Sequence, residues 1–121
     1  MKVFWSSVLD QIDESDEPRL FVSLDVVLHG KEHSGCILTL DDRAVIAWIV
    51  GMVQQDRFVE VVPYSTVKEV VADTKPRRGM RPATQRLTIS AEKDWALLFT
   101  NAGTVVPKLV HGVLTETVTF Q

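Results

Sequence analysis

Residues 35–48 read GCILTLDDRAVIAW, two apolar runs separated by a pair of aspartates. Runs rich in Ile, Leu and Val are typical of strands, and aspartate suits the tight turn between them. The segment therefore predicts a β-hairpin with strands over Cys36–Leu40 and Ala44–Val53. Periodicity alone would also allow a buried helix for the second run, but its Val and Ile content favours a strand.

Further strands are predicted on both sides of this hairpin. Leu20–Leu28 is predicted as a strand, followed by a glycine-bounded turn over 29–35. After a polar loop at 54–57, further strands are predicted over Phe58–Val62, Thr66–Val71, Leu87–Ser90 and Trp95–Phe99. A corner is predicted at Pro63–Ser65 because proline suits a strand break, and 73–85 is predicted as a long irregular loop.

Two segments at the ends of the chain have helical spacing. Val8 and Ile12 continue an i, i+4 series from Val3/Phe4, which predicts an amphipathic helix over Lys2–Asp13 that ends before Pro18. A second short helix is predicted over 105–114, with Thr104 as its N-cap. The predicted fold class is therefore mainly β with helices (α+β), with residues 1–18 forming an N-terminal helix and linker and 19–121 forming one domain.

Three stretches resemble pleckstrin-homology-like (PH-like) domains, in particular their bacterial PH-like and GRAM-like branch. Residues 35–48 are similar to a glycine-led "L-x-L-T-D-x-R" hairpin of that family, and 60–70 to its "I-P-Y-x-x-I-x-x-V" corner. The last hairpin, 87–99, completes the pattern, so the resemblance spans 20–114. It implies a seven-stranded barrel or sandwich with a C-terminal helix, to which the N-terminal helix is an addition.

Composition limits the classes of protein to be considered. The chain has 121 residues and a net charge of −3. Its single cysteine excludes an internal disulfide framework and a zinc site built from several thiolates. A mildly acidic chain argues against a DNA-coating protein. With neither a long apolar span nor a leader-like N-terminus, a cytoplasmic protein is expected, with peripheral attachment to a membrane as the alternative.

The residue types that carry catalysis are sparse and separated. Cys36 lies within a predicted strand and is expected to be a buried small hydrophobe. His29, Glu32 and His33 could meet at a metal, but a turn with no fixed third ligand is weak evidence. Asp41 and Asp42 point to opposite faces of an extended chain, so turn formation explains them better than paired carboxylates. We therefore predict a protein that is not an enzyme and that holds no cofactor or metal.

Charged residues are concentrated in two places. Five acids lie between residues 10 and 17, and the loop Lys75–Arg86 is basic. Arginine side chains suit phosphate and carboxylate groups, so the loop is a candidate contact for an anion or an acidic partner; a solvated loop is the alternative. The candidate contact residues are Lys75, Arg77, Arg78, Arg81 and Arg86.

The first hairpin turn is a second candidate contact, through His29, Lys31 and His33. Phosphoinositide-binding PH-like domains carry a basic set here, and this chain departs from it because Cys36–Leu40 contains no Lys or Arg. The resemblance instead implies a protein partner or a second copy, since bacterial PH-like domains often lack an assigned lipid and some assemble by edge contacts. RNA is poorly supported because no exposed aromatic series with basic neighbours is predicted.

Three hypotheses follow. The first is a non-catalytic interaction module that binds a protein or itself. The second is peripheral binding to an anionic membrane through the basic loop, where each basic residue contributes about 1 kcal/mol. The third is a small-molecule-binding or hydrolytic protein with a cavity in the barrel.

Overall fold

The computed structural model of the chain describes Ile12, Asp13, Ser15, Asp16, Pro18, residues 20–51, residues 53–75, Gly79 and residues 84–100. These residues form one antiparallel sheet of seven strands. The strands are β1 Leu20–Leu28, β2 Lys31–Thr39, β3 Arg43–Val50, β4 Asp56–Pro63, β5 Glu69–Lys75, β6 Thr84–Ser90 and β7 Asp94–Thr100.

The order of strands in the sheet is β4-β3-β2-β1-β7-β6-β5. Each strand pairs with the next in sequence except at the β4–β5 corner, and the ladder from β1 to β7 joins the two halves. All nine residues of β1 pair with β2, but only Asp25–Val27 pair with β7. The strand that joins the halves therefore belongs mainly to the first of them, β1–β4.

The main core lies on the inward faces of both halves. Alternate residues of β1, β6 and β7 supply Leu24, Val26, Leu87, Leu97 and other side chains that are almost completely buried. Among the core side chains that are less than 2% exposed, the largest are Trp95, Tyr64 and Phe99. This layer is packed with side chains and accounts for the apolar alternation that the sequence shows in these strands.

The corner after β4 is fixed by Tyr64. Residues Tyr64–Thr66 form a single 3-10 turn, and the Tyr64 hydroxyl donates to the carbonyl of Leu40 at 2.7 Å. The Tyr64 amide donates to the carbonyl of Asp42 at 3.0 Å. Because Tyr64 is fully buried, both its ring and its hydrogen bonds tie the corner to the β2–β3 turn. The predicted corner at Pro63–Ser65 is confirmed.

The β1–β2 turn is tighter than the sequence indicated. It contains only His29 and Gly30, both with positive φ (52° and 76°), and β2 begins at Lys31. Two positive φ angles match the twist of a two-residue hairpin, with glycine in the second position. The predicted turn over 29–35 was therefore wrong, because the polar residues 31–34 are strand residues near the end of a hairpin.

Gly35 is required by the packing of β2 against β3. A Cβ atom here would lie far inside contact distance of the Ala47 carbonyl oxygen, and 3.1 Å from Cγ2 of Val26. The backbone of β3 thus approaches β2 at the one residue of this strand that lacks a side chain. The glycine that opens the 35–48 hairpin is explained by this contact.

The predicted α+β class was wrong for the residues described. They contain strands and a single 3-10 turn, and no α-helix. Ile12 and Asp13, where the predicted N-terminal helix ends, have no helical conformation. Acidic residues at the C-terminal end of a helix oppose its dipole, and Asp16 instead binds Arg43. Residues 2–11 and 105–114 lie outside the described part of the chain.

Other strand limits needed smaller corrections. The strand predicted at Thr66–Val71 lies at Glu69–Lys75, and the irregular segment predicted at 73–85 is shortened because β5 and β6 extend into it. The boundary predicted between residues 18 and 19 stays a prediction.

Candidate functional site

β4 is an exposed strand at one edge of the sheet. It pairs with β3 on one side, and no described strand pairs with its other side. Seven of its eight residues are exposed or half-buried, including Phe58 (45% exposed) and Val61 (39% exposed). A free strand edge carries unpaired backbone donors and acceptors that can bind another strand. We refer to Asp56–Pro63 as the β4 edge.

Aromatic rings and one lysine surround the middle of the β4 edge. Phe58 stacks on Trp48 with ring centroids 5.6 Å apart, and Trp48 meets Trp95 edge-on at the same distance. Lys93 Nζ lies 4.6 Å from the Trp95 ring centroid and 5.7 Å from that of Trp48. Such rings attract a cation and limit the movement of the lysine.

Glu60 completes this cluster. Its carboxylate lies 3.3 Å from Lys93 Nζ, which joins β4 to the β6–β7 turn. Both side chains are about half exposed, so the ion pair contributes little energy and mainly orients the lysine. The consequence is that the one acidic side chain between Phe58 and Val62 is already neutralised by a partner within the chain.

A shallow recess lies between β4 and the β6–β7 turn. It is lined in part by Val62, Pro63, Thr66 and Trp95, and it encloses about 70 Å³. Small-molecule pockets are commonly about 300–1,000 Å³, so this recess is too small for such a ligand. It gives no support to the hypothesis of a ligand cavity.

Two of the five residues of the predicted basic contact, Lys75 and Arg86, lie in the described part of the chain. Lys75 ends β5, and its backbone neighbour on β6 is Thr84. Arg86 is half-buried on β6, with Asp73 and Leu98 as its backbone neighbours on the two sides. Arg77, Arg78 and Arg81 lie outside the described residues. The role of the five residues stays a prediction.

The β1–β2 turn does not bring its candidate residues to one point. His29 and Lys31 are exposed, whereas His33 is half-buried on the inward face of β2. Glu32 lies on the opposite face of the strand from His33, because side chains alternate. Across the described part of the chain, no three His, Cys, Asp or Glu side chains are placed to share a metal ion.

The outward face of β1–β4 carries a second apolar cluster. Five residues of β2, β3 and the turn between them, all 0–3% exposed, form it: Cys36, Leu38, Leu40, Val45 and Ala47. Ile12, Phe21, Ile49 and Val59 pack around them. We call these nine residues the outer apolar face. Cys36 belongs to it, and burial raises the pKa of its thiol to about 11, so it is unsuited to nucleophilic chemistry.

An ion pair links the N-terminal segment to this half of the sheet. The Arg43 guanidinium donates to both carboxylate oxygens of Asp16, at 2.6 and 3.2 Å, and also to Asp42 at 2.6 Å. These hydrogen bonds, which Arg43 donates and Asp16 accepts, lower the pKa of Asp16 and raise the pKa of Arg43. The Asp16 carboxylate also accepts from the Asp13 amide at 2.8 Å. Bidentate pairing of this kind fixes the position of a chain segment.

Asp25 is a charged residue that the sequence reasoning did not single out. It lies on β1 where this strand pairs with both β2 and β7. Partial burial raises the pKa of its carboxyl, and the negative charge of Glu32 raises it further. A lone acid within the run Leu24–Val27 is the signal that could have identified it.

Comparisons with known proteins identify the fold but not a family. No protein-family model and no curated protein sequence matches the chain. Among solved structures, the hSac2 domain of human phosphoinositide phosphatase Sac2 is similar, with a TM-score of 0.65 and 9% identity over 98% of this chain and 80% of that one. The C-terminal domain of an unknown protein from Leishmania infantum has a TM-score of 0.63 and 9% identity over 94% and 96%.

A structure of Vav1 also matches, with a TM-score of 0.60 and 13% identity, over 98% of this chain and 32% of the other. A linker-DH/PH structure of p115-RhoGEF has a TM-score of 0.51. These likenesses support the PH-like fold that the sequence resemblance implied. They do not show the bacterial branch. In the described residues there is no helix long and apolar enough to cross a membrane.

Proposed function

We propose that this chain is a non-catalytic interaction module of PH-like fold that associates with a second copy of itself along the β4 edge. The observation that carries the proposal is the exposed edge strand with Phe58 and Val61 on its surface. Main-chain hydrogen bonds to an added strand would supply affinity, and the side chains of β4 would supply specificity.

The middle of the β4 edge lacks most of the features that usually prevent edge-to-edge pairing. Natural edge strands carry inward-pointing charges, lysines or prolines that block another strand. Here Asp56 and Arg57 lie at the start of the strand and Pro63 at its end, and the charge of Glu60 is matched by Lys93. The stretch from Phe58 to Val62 therefore offers an apolar, charge-balanced strand to a partner.

The test measures self-association by light scattering coupled to size-exclusion chromatography over a range of concentrations. Val61→Lys places a charge on the β4 edge and is expected to shift the protein to monomer. Val71→Lys is the matched control, because Val71 is 46% exposed on β5, the opposite edge strand. If the wild-type chain is monomeric throughout, or both variants associate equally, the proposal is wrong.

A second candidate function is binding to an anionic membrane through the β5–β6 hairpin. It is favoured by the basic composition of the segment between β5 and β6, which follows Lys75 at the end of one strand and precedes Arg86 on the next. One similar structure also belongs to a protein named as a phosphoinositide phosphatase.

Co-sedimentation with phosphatidylserine-containing vesicles tests this candidate. The triple variant Arg77/Arg78/Arg81→Ala is expected to lose most binding at physiological salt, since each basic residue contributes about 1 kcal/mol. Lys68→Ala, which removes an exposed charge outside both candidate contacts, is the control and should retain binding. Equal binding by the triple variant and wild type would contradict this function.

A further inference from the structure

We propose that the outer apolar face is an intramolecular docking site for residues 2–11, the N-terminal segment of the same chain. This inference is independent of the proposed function at the β4 edge. It begins from the burial of residues that point away from the main core.

The outer apolar face needs a cover. Register places Leu38 and Val45 opposite Phe21 and Val61 respectively, on the side of the sheet away from Ile37 and Ile46. A sheet with one solvated side alternates apolar and polar residues, whereas β3 is buried at five successive positions, Ala44–Trp48. Five residues at 0–3% exposure on this side therefore require a further layer.

The N-terminal segment reaches this face at a defined place. Ile12 packs against the cluster, and four residues later Asp16 is held by Arg43 at the start of β3. The clamp fixes the chain beside the face, so the residues that precede Ile12 start from its surface. A 10-residue segment can span up to about 33–36 Å when extended. Four strands are only about 15 Å across, so the segment is long enough to cover them.

The composition of the segment suits this role. Five of residues 2–11 are large and apolar: Val3, Phe4, Trp5, Val8 and Leu9. Burying such side chains against an apolar surface contributes about 25 cal/mol per Å² of area removed from water. Asp16, which follows the segment, is the acid that binds Arg43. The sequence therefore combines an apolar segment for the face with an ion pair that holds the chain next to it.

Cys36 provides a native reporter for the test, because it belongs to the outer apolar face and is the only cysteine of the chain. Its reaction with a thiol reagent such as dithionitrobenzoate, under native conditions, measures how often the face is uncovered. In the full chain we expect slow labelling. Deleting residues 2–11 should raise the rate on the order of tenfold or more, because the opening step is removed.

Two pairs of full-length variants keep the test valid if the deletion does not fold. Leu9→Asp should accelerate labelling, whereas Ser7→Asp, a charge added in the same segment, should change it much less. Asp16→Asn should accelerate labelling by loosening the clamp, and Asp13→Asn is its matched control because the Asp13 contacts described are made by its backbone. Labelling at the wild-type rate in both Leu9→Asp and Asp16→Asn would overturn the proposal.

Two further measurements separate other occupants of the face. If truncation of residues 105–121 accelerates labelling and deletion of 2–11 does not, the cover is the C-terminal segment and the proposal is wrong. If the labelling rate of the wild-type protein rises on dilution, the cover is a second copy and the proposal is again wrong. A rate independent of concentration and sensitive to Leu9→Asp supports the N-terminal segment.

Discussion

The two halves of the sheet, β1–β4 and β5–β7, are both antiparallel, but the side chains on their outward sides differ in burial. In β1–β4 the outward side carries a buried cluster around Leu38 and Val45. In β5–β7 the outward side carries Asp73, Arg86, Thr88 and Leu98, and none of these residues is buried. The first half is therefore buried on both of its sides, whereas the outward side of the second half is exposed or half-buried.

The amino-acid sequences of the strands show the same difference. After Arg43, β3 is an unbroken apolar run, as expected of a strand buried on both sides, whereas β6 alternates Leu87 and Ile89 with polar residues. The lesson is that an unbroken apolar run in an antiparallel sheet indicates an additional layer. The three predictions below test whether the two halves differ in energy as they differ in burial.

The largest effect is expected from truncating the outward side of the first half. Leu38→Ala should lower the free energy of unfolding by about 2–5 kcal/mol, because it leaves a cavity in a buried cluster. The same change at Leu98, half-buried on the outward side of the second half, should cost only about 1 kcal/mol. Urea unfolding followed by circular dichroism measures both. Equal costs would show that the outward sides do not differ.

A smaller loss is expected at the β2–β3 contact. Gly35→Ala should lower the free energy of unfolding by about 1–3 kcal/mol, because the new methyl group meets the Ala47 carbonyl. The control is Ser34→Ala on the exposed neighbouring position, expected to stay within about 0.5 kcal/mol of wild type. Thermal unfolding of both variants gives the comparison, and a neutral Gly35→Ala would contradict the close approach of the strands.

The smallest effect concerns the Asp16–Arg43 ion pair and depends on pH. Arg43 lowers the pKa of Asp16 in the native state, so the unfolded state binds more protons in acid. The wild-type protein should therefore have a higher free energy of unfolding than Asp16→Asn. This difference should be complete above the ordinary aspartate pKa and should disappear as the pH falls through the lowered pKa of Asp16. Urea midpoints of both proteins from about pH 7 to about pH 2 measure this. A difference in urea midpoint that increases in acid would contradict a stabilising Asp16–Arg43 ion pair.

Much of the sheet could be predicted because its strands are locally distinct. Leu20–Leu28 has the limits that were predicted, and the corner at Pro63 was recognised from its proline. The N-terminal part of β2 could not be predicted, because Lys31–Ser34 has the polarity of a loop. These residues form a strand by pairing with apolar β1. Tertiary pairing, and not local propensity, decided those residues.

The candidate surfaces were less predictable for a similar reason. Phe58 and Lys93 are 35 positions apart in sequence. They meet at Trp48, because the fold brings the β6–β7 turn next to β4 and so places Lys93 over the ring on which Phe58 stacks. Asp16 and Arg43 are likewise partners through the fold. Charge clusters such as 75–86 are visible in sequence because they are local, but nothing local indicates what they bind.

The short ladder between β1 and β7 has a mechanical consequence. Only three residue pairs, Asp25–Val27 with Ala96–Leu98, join the two halves there. The strands are antiparallel, so the start of β1 and the end of β7 lie at the same end of the ladder. Tension applied between Leu20 and Thr100 would load these pairs one after another, as in opening a zipper. The domain should therefore yield at low force when pulled through these two strands, and the rupture should begin at this ladder.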